Sequence, residues 1–294
     1  MRHLSSLLIA LFFFTFAALA NAATPSGIVL VAFGTSMESA KPSLDAIDKA
    51  YKKAYPDTPV IWAYTSDIIR AKLAKEQNQK VFSVKEALDA CKKQGIVSIR
   101  VQSLHVTGGE EFNMLQRMIV RYLNKNPGAF DHVYLGHPLL ESSKDLDEVI
   151  SALLASVKEK RKAGEALILM GHGNDRGPSD ITLAHVADTL HAKDSLAFLA
   201  TVEGANTFDT ILPELKKSGV KKALLMPFMV VAGDHANNDL AGDEDDSWAS
   251  QLKKSGISVE ANLIGLGSVP GIQQIYLRHT KDTHDDLANP TKKD

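Results

Sequence analysis

Three side chains that can bind a metal each follow an apolar run in the second half of the chain. His172 comes after residues 166–170, Glu203 comes after residues 195–202, and His235 follows a third such run. Two imidazoles and a carboxylate suit divalent cobalt, iron, nickel or zinc, and such a set leaves coordination positions open for transfer. No compact motif such as HExxH is present, so a metal site requires the fold to bring these residues together.

Each of the three residues also has a structural interpretation. His172 lies between Gly171 and Gly173, which let the backbone turn tightly and expose the imidazole, but a purely structural histidine stays an alternative. Glu203 is costly after a buried strand unless it is paired, solvated or metal-bound. The polar run around His235 can instead cap the next helix. The metal-site hypothesis therefore depends on the combination.

The first half of the chain offers candidate substrate-binding residues at corresponding places. His105 precedes a Gly-Gly turn, and we expect it on the wall opposite the metal ligands. Gly34 and Thr35 follow an apolar run just before a predicted helix. Backbone N–H groups at a helix start can bind a ligand carboxylate. The segment is not a Walker loop, because GxxxxGK[ST] is absent.

The elements that must position these residues alternate between short apolar strands and periodic helices, which predicts parallel sheets covered on both faces. The chain also repeats itself: residues 31–36 align with 169–173, and residues 63–66 align with 200–203. Residues 104–110 similarly resemble 229–235. The prediction is an α/β fold of two similar lobes, each a parallel sheet flanked by helices, related by a pseudo-twofold internal duplication. Ligands bind beyond the carboxyl ends of such strands, so both lobes should face one cleft.

The pattern divides the chain into three parts. Residues 1–22 are predicted to be a signal peptide, 23–145 the N-terminal α/β lobe, and 146–294 the C-terminal α/β lobe with the metal site and a C-terminal helix. We expect that helix to pack back on the first lobe. The tail from residue 282 to 294 is polar, and we expect it to be disordered.

The N-terminus and the charge limit location and partners. Arg2 and His3 precede an apolar run over residues 7–19, and residues 20–22 (ANA) have the form of a signal-peptidase site. The prediction is export to a periplasm, with no membrane attachment after cleavage. A net charge of -2 without a basic patch argues against a nucleic-acid partner. The sequence leaves a homo-oligomer open.

Several blocks of the sequence are similar to one enzyme family. The chain resembles the sirohydrochlorin cobaltochelatases of the CbiK type, within the class II chelatase group that includes ferrochelatase. The resemblance covers nearly all of the chain beyond the signal peptide. The similar blocks are residues 31–36 (VAFGTS), 102–106 (QSLHV), 108–112 (GGEEF), 170–173 (MGHG), 202–204 (VEG), 226–229 (MPFM) and 232–242 (AGDHANNDLAG). The block at 232–242 is the most specific of them.

The resemblance implies a function and a role for each residue. His172, Glu203 and His235 would hold the metal, and His172 would also be the general base. The metal substrate would be cobalt(II), with iron(II) as an alternative, and the partner would be a sirohydrochlorin-type tetrapyrrole. The chain departs from the family pattern in one respect: its relatives are mostly cytoplasmic, whereas this chain has a predicted signal peptide. Two other functions stay open: a periplasmic carrier of metal or tetrapyrrole without turnover, and an iron chelatase for sirohaem or haem synthesis.

Overall fold

Two four-stranded parallel sheets form the centre of the protein. The computed structural model describes residues 24–174 and 179–290. The first sheet contains β1 (Ser26–Ala32), β2 (Val60–Tyr64), β3 (Ser98–Ser103) and β4 (His132–Gly136). The second contains β5 (Ala166–Gly171), β6 (Ala197–Thr201), β7 (Lys222–Pro227) and β8 (Ser258–Ala261). The strand orders β2-β1-β3-β4 and β6-β5-β7-β8 are equivalent, and they confirm the predicted fold of two similar α/β lobes.

Helices cover both faces of each sheet. In chain order they are α1 (Lys41–Ala54), α2 (Asp67–Glu76), α3 (Val84–Lys93), α4 (Glu110–Lys125), α5 (Ser143–Val157), α6 (Ser179–Lys193), α7 (Phe208–Ser218), α8 (Trp248–Lys254) and α9 (Pro270–Asp282). Short 3-10 turns cover Glu38–Ala40 and Leu266–Ser268, and a π-helical turn covers Ala236–Leu240. None of the helices in the described ranges is long and apolar enough to cross a membrane.

Alternation along the central strands divides the interior into layers. Ile28 and Leu30 of β1 face a core shared by both lobes, whereas Val29 and Val31 face an outer core with α3 and α4. Successive side chains of a strand point to opposite faces, so a strand covered on both sides must be apolar throughout. The shared core includes residues from β1, α1, α5, β5 and α9, and it joins the two lobes.

Helices α5 and α9 connect the lobes. The predicted boundary between residues 145 and 146 lies within α5. Helix α9 follows the second sheet in sequence but packs on α5 and on strands β3 and β4 of the first sheet. Asp145 of α5 accepts hydrogen bonds from Arg278 (2.8 Å) and from His279 Nε2 (2.9 Å) of α9.

The prediction of a disordered tail is wrong for residues 283–290. The N–H of Leu287 donates to the carbonyl of Val133 (2.8 Å), and the N–H of Leu135 donates to the carbonyl of Asp285 (3.2 Å). The reason is that β4 is an edge strand, and its unpaired backbone groups take partners from the tail. The predicted signal peptide and residues 291–294 lie outside the described residues.

Candidate active site

His172 and Glu203 follow neighbouring strands and are held together through their backbones. His172 comes directly after β5, and its carbonyl accepts a hydrogen bond from the N–H of Glu203 (2.9 Å). Gly173 adopts a φ of 76°, and a Cβ there would overlap the carbonyl oxygen of Glu203. The close approach of these two loops therefore requires glycine at position 173.

The two predicted histidine ligands lie next to each other. The ring centroids of His172 and His235 are 5.0 Å apart, and the rings are nearly perpendicular at 84°. The Nδ1–H of His172 donates to the carbonyl of Gly173 (2.9 Å), and that of His235 donates to Asp239 Oδ2 (2.6 Å). Because Nδ1 is engaged in both rings, Nε2 is the nitrogen that each can offer to a metal.

Glu203 is placed beside His172 in the backbone, but its side chain is exposed. Across residues 24–174 and 179–290, no three His, Cys, Asp or Glu side chains are gathered closely enough to hold a metal ion. The structure thus brings His172 and His235 together as a pair and leaves the carboxylate of Glu203 apart from them. An exposed loop carboxylate can adopt several rotamers.

Asp180, in the first turn of α6, joins the loops that carry His172 and Glu203. Its carboxylate accepts the N–H of Asn174 (2.8 Å) and the N–H of Ala205 (3.3 Å). Gly204 has a φ of 91°, and a Cβ there would overlap this carboxylate. Asp180 therefore fixes the separation of the two loops.

The opposite wall is formed by the first lobe. Oε2 of Glu111, at the start of α4, accepts a hydrogen bond from Thr65 (3.2 Å) and lies 4.0 Å from Nε2 of His105. Partial burial raises the pKa of Glu111, and the adjacent Glu110 adds to the rise, while the Thr65 hydrogen bond and the charge of His172 oppose it. Glu111 is thus electrostatically coupled to His172 across the cleft.

His105 lies at the base of this wall. It is 8% exposed, its Nδ1 is 2.8 Å from the hydroxyl of Ser103, and its Nε2 has no hydrogen-bond partner in the described parts of the chain. Burial lowers the pKa of His105 to about 4, so the ring is neutral near pH 7. A neutral imidazole does not attract substrate carboxylates by charge, and its unpartnered Nε2 is buried, so the predicted role of His105 in binding substrate requires the ring or its cover to move.

The Gly34–Thr35 segment differs from its predicted form. Thr35 is 4% exposed, and its hydroxyl accepts the N–H of Met37 (3.1 Å), so that N–H is not open to a ligand. Helix α1 begins at Lys41, after a 3-10 turn, so Gly34 and Thr35 precede the helix without forming its first turn. Gly34 has a φ of 104°, and a Cβ there would overlap the ring of Tyr64.

The same segment reaches the second lobe. Asn237 follows His235 by two residues, and its Nδ2 lies 3.8 Å from the sulfur of Met37. Thr107 of the first lobe donates a hydrogen bond to Ser179 of α6 (3.1 Å). The carboxyl ends of both sheets therefore converge, as two lobes facing a common cleft require.

Comparison with known proteins assigns the family. Residues 26–285 match the cobalt chelatase (CbiK) family. The chain belongs to that family. It is 36% identical over 256 residues to the sirohydrochlorin cobaltochelatase CbiKC of Nitratidesulfovibrio vulgaris, covering 87% of this chain and 89% of the relative. It is 31% identical to the sirohydrochlorin cobaltochelatase of Salmonella typhimurium, covering 86% and 94%.

Solved structures agree on the fold. SirB from Bacillus subtilis with Fe3+ superimposes with a TM-score of 0.63 at 16% identity, over 87% of this chain and 94% of that one. The sirohydrochlorin chelatase SirB from Bacillus subtilis subspecies spizizenii in complex with cobalt gives 0.60 at 15% identity, with the same coverage. These similarities show that the two-lobed architecture is that of chelatases.

A cobalt chelatase must hold a divalent cation and accept protons from a macrocycle, and the cleft has groups for both tasks. The histidine pair of the second lobe supplies two imidazole nitrogen donors, and Glu111 of the first lobe supplies a carboxylate. Sequence analysis missed Glu111 and Asp180. The pair Glu110–Glu111 at a helix start was visible but resembled an ordinary acidic first turn, and Asp180 gave no signal beyond its type.

Proposed function

We propose that this chain inserts cobalt(II) into sirohydrochlorin or a closely related tetrapyrrole, as a step of cobalamin or tetrapyrrole biosynthesis. The observation that carries the proposal is the adjacent His172–His235 pair, in a chain that matches the cobalt chelatase family over residues 26–285. Cobalt(II) is a substrate here, since it leaves with the product.

The second lobe would hold the metal. Nε2 of His172 and Nε2 of His235 would be the first two ligands, because both Nδ1 atoms are already engaged. Glu203 would be the third ligand, after rotation of its exposed side chain. Three protein ligands leave positions for water and then for the pyrrole nitrogens, which a site that releases its metal needs.

The cleft would also take up protons. Insertion of a divalent ion into a free-base macrocycle releases two pyrrole N–H protons, so two acceptors or one acceptor used twice are required. Once its Nε2 has released the metal, His172 would accept one such proton there as general base. The half-buried carboxylate of Glu111, in the first lobe, would accept the other.

The rigid walls serve a third purpose. Pyrrole lone pairs point at the incoming metal only when the macrocycle bends, and bending can be driven by binding energy from parts of the substrate that do not react. The shared core and the contacts between Thr107 and Ser179 fix the two walls relative to each other.

We further propose that the chain works in a periplasm after cleavage behind Ala22. The proposal is supported by the positive start, the apolar run over residues 7–19 and the small residues at 20–22. N-terminal sequencing and cell fractionation test it. A product that begins at Ala23 in the periplasmic fraction is expected, and an uncleaved cytoplasmic product would contradict it.

The activity is tested by anaerobic insertion with the chain purified from Ala23. Sirohydrochlorin and cobalt(II) are supplied in excess, and the absorption change of metal insertion is followed. Many equivalents of product per chain are expected. Binding of metal or macrocycle without turnover would replace the enzyme by a carrier. Parallel reactions with iron(II), and mixtures of both metals, give the metal preference directly.

A further inference from the structure

The two histidines of the candidate site differ in what holds them. The Nδ1–H of His172 donates to a neutral backbone carbonyl, that of Gly173. The Nδ1–H of His235 donates to the carboxylate of Asp239 at 2.6 Å, the shorter of the two bonds. A carboxylate behind an imidazole fixes its tautomer and orientation and strengthens it as a metal ligand more than a carbonyl does.

The segment that carries Asp239 is held by buried side chains and hydrogen bonds, although Asp239 itself is exposed. His235 immediately precedes the π-helical turn Ala236–Leu240, whose first and last side chains are fully buried. The amide of Asn237 donates to the carbonyls of Ala232 (3.2 Å) and Gly233 (2.7 Å). π-helical turns are rare and often occur at functional sites. Here the turn holds Asp239 against Nδ1 of His235.

We propose that Asp239 is a positioning residue that makes His235 the anchoring ligand for cobalt(II). His172, supported by a neutral carbonyl, is then the ligand that lets go first when the metal moves into the macrocycle. The inference rests on the proposed function, because it assigns unequal tasks to the two histidines of that site. It gives one site both a firm hold on the metal and a route to release it.

Cobalt(II) binding to the chain purified from Ala23 tests the proposal without any turnover. Affinity is measured by competition with a chelator, and ligand geometry is followed through the visible absorption of bound cobalt(II). Asp239→Asn keeps the shape of the side chain and should weaken binding by about 10- to 100-fold and alter the spectrum. Asp234 is a matched control, because it is an exposed neighbour bonded to Asn238 and not to a histidine. Asp234→Asn should bind within about twofold of wild type.

A double-mutant cycle identifies the histidine through which Asp239 acts. Asp239→Asn should add almost nothing to the loss in His235→Ala, and should keep its full effect in His172→Ala. Unchanged binding by Asp239→Asn, or an equal effect in both backgrounds, would overturn the proposal. If His235→Ala itself binds cobalt(II) like wild type, the proposed metal site fails as well. If His235→Ala weakens binding and Asp239→Asn does not, only the role of Asp239 fails.

Discussion

The chemistry of the site resides in a few side chains from both lobes. The sequence predicts His172 and His235 because each follows an apolar strand, and the structure places their rings 5.0 Å apart. The sequence does not predict which atoms hold them, because the Nδ1 partners depend on a π-helical turn and on one backbone carbonyl. Nor does it separate Glu111 from its neighbour Glu110, since only packing distinguishes a half-buried carboxyl from an exposed one.

Glu111 should control the acid side of the activity profile. Because burial raises the pKa of Glu111, this carboxyl is protonated at a higher pH than an ordinary glutamate, and it then accepts no proton. Insertion by the wild type should therefore fall as pH decreases, beginning above the usual glutamate range. Glu111→Gln should lower kcat by roughly 100-fold and remove that part of the profile. The measurement is the rate of cobalt insertion against pH.

Glu110 provides the control for this test. It is an exposed neighbour that pairs with Arg117 (2.5 Å) and does not contact the site. Glu110→Gln should leave the maximal rate nearly unchanged and move the acid side of the profile to lower pH, because Glu110 adds to the raised pKa of Glu111. Equal losses in the two variants would show that general charge near α4 matters, and not the carboxylate of Glu111.

Strands and helices were predictable to the extent that their periodicity is strong. The continuous apolar runs gave the strands of both sheets, and the repeat gave their equivalence. The periodic pattern predicts helix α1 from Lys41 to Tyr55, and the structure has it at Lys41–Ala54. The tail was misjudged because its polar residues bind an edge strand, a long-range pairing that composition does not encode.

Gly173 tests how closely the ends of β5 and β6 must approach. Gly173→Ala places a Cβ on the carbonyl of Glu203, so the loops must separate, and cobalt insertion should be largely lost. Gly95 has a similar φ of 71°, but a Cβ there meets nothing within 4 Å. Gly95→Ala should cost only about 1 kcal/mol of strain and keep activity. Urea unfolding and insertion rates of both variants give the comparison, and full activity in Gly173→Ala would contradict it.

The two lobes share one hydrophobic core. The shared core includes strands from both sheets, and α5 and α9 lock across it. The contact between α5 and α9 includes the ion pair of Asp145 with Arg278. Burial alone would raise the pKa of Asp145, but hydrogen bonds from Ser142, His279 and Arg278 outweigh the effect of burial and lower the pKa to about 2. No sequence pattern reveals this pair, because its partners are more than 130 positions apart.

Asp145 should make the whole molecule sensitive to acid. A carboxyl whose pKa is lower in the folded state stabilises the fold above its unfolded pKa, and that stabilisation disappears as pH falls from about 4 towards 2. Asp145→Asn should reduce the free energy of unfolding at pH 7 by about 3 kcal/mol and flatten its dependence on pH in that window. Denaturant unfolding at several pH values measures both effects.

Asp147 is the matched control on the same helix. It is exposed and pairs with Lys193 (2.6 Å), and exposed pairs contribute little. Asp147→Asn should unfold like the wild type. If the stability of Asp145→Asn depends on pH as that of the wild type does, the contacts of Asp145 with Arg278 and His279 do not stabilise the fold.

The most direct test of the central claim is the rate of cobalt(II) insertion into sirohydrochlorin by four proteins: wild type, His172→Ala, His235→Ala and His185→Ala. His185 is an exposed histidine of α6 outside the site and controls for the loss of an imidazole. Many turnovers are expected for wild type and His185→Ala, and almost none for the other two variants. Turnover that survives in His172→Ala and His235→Ala would contradict that claim.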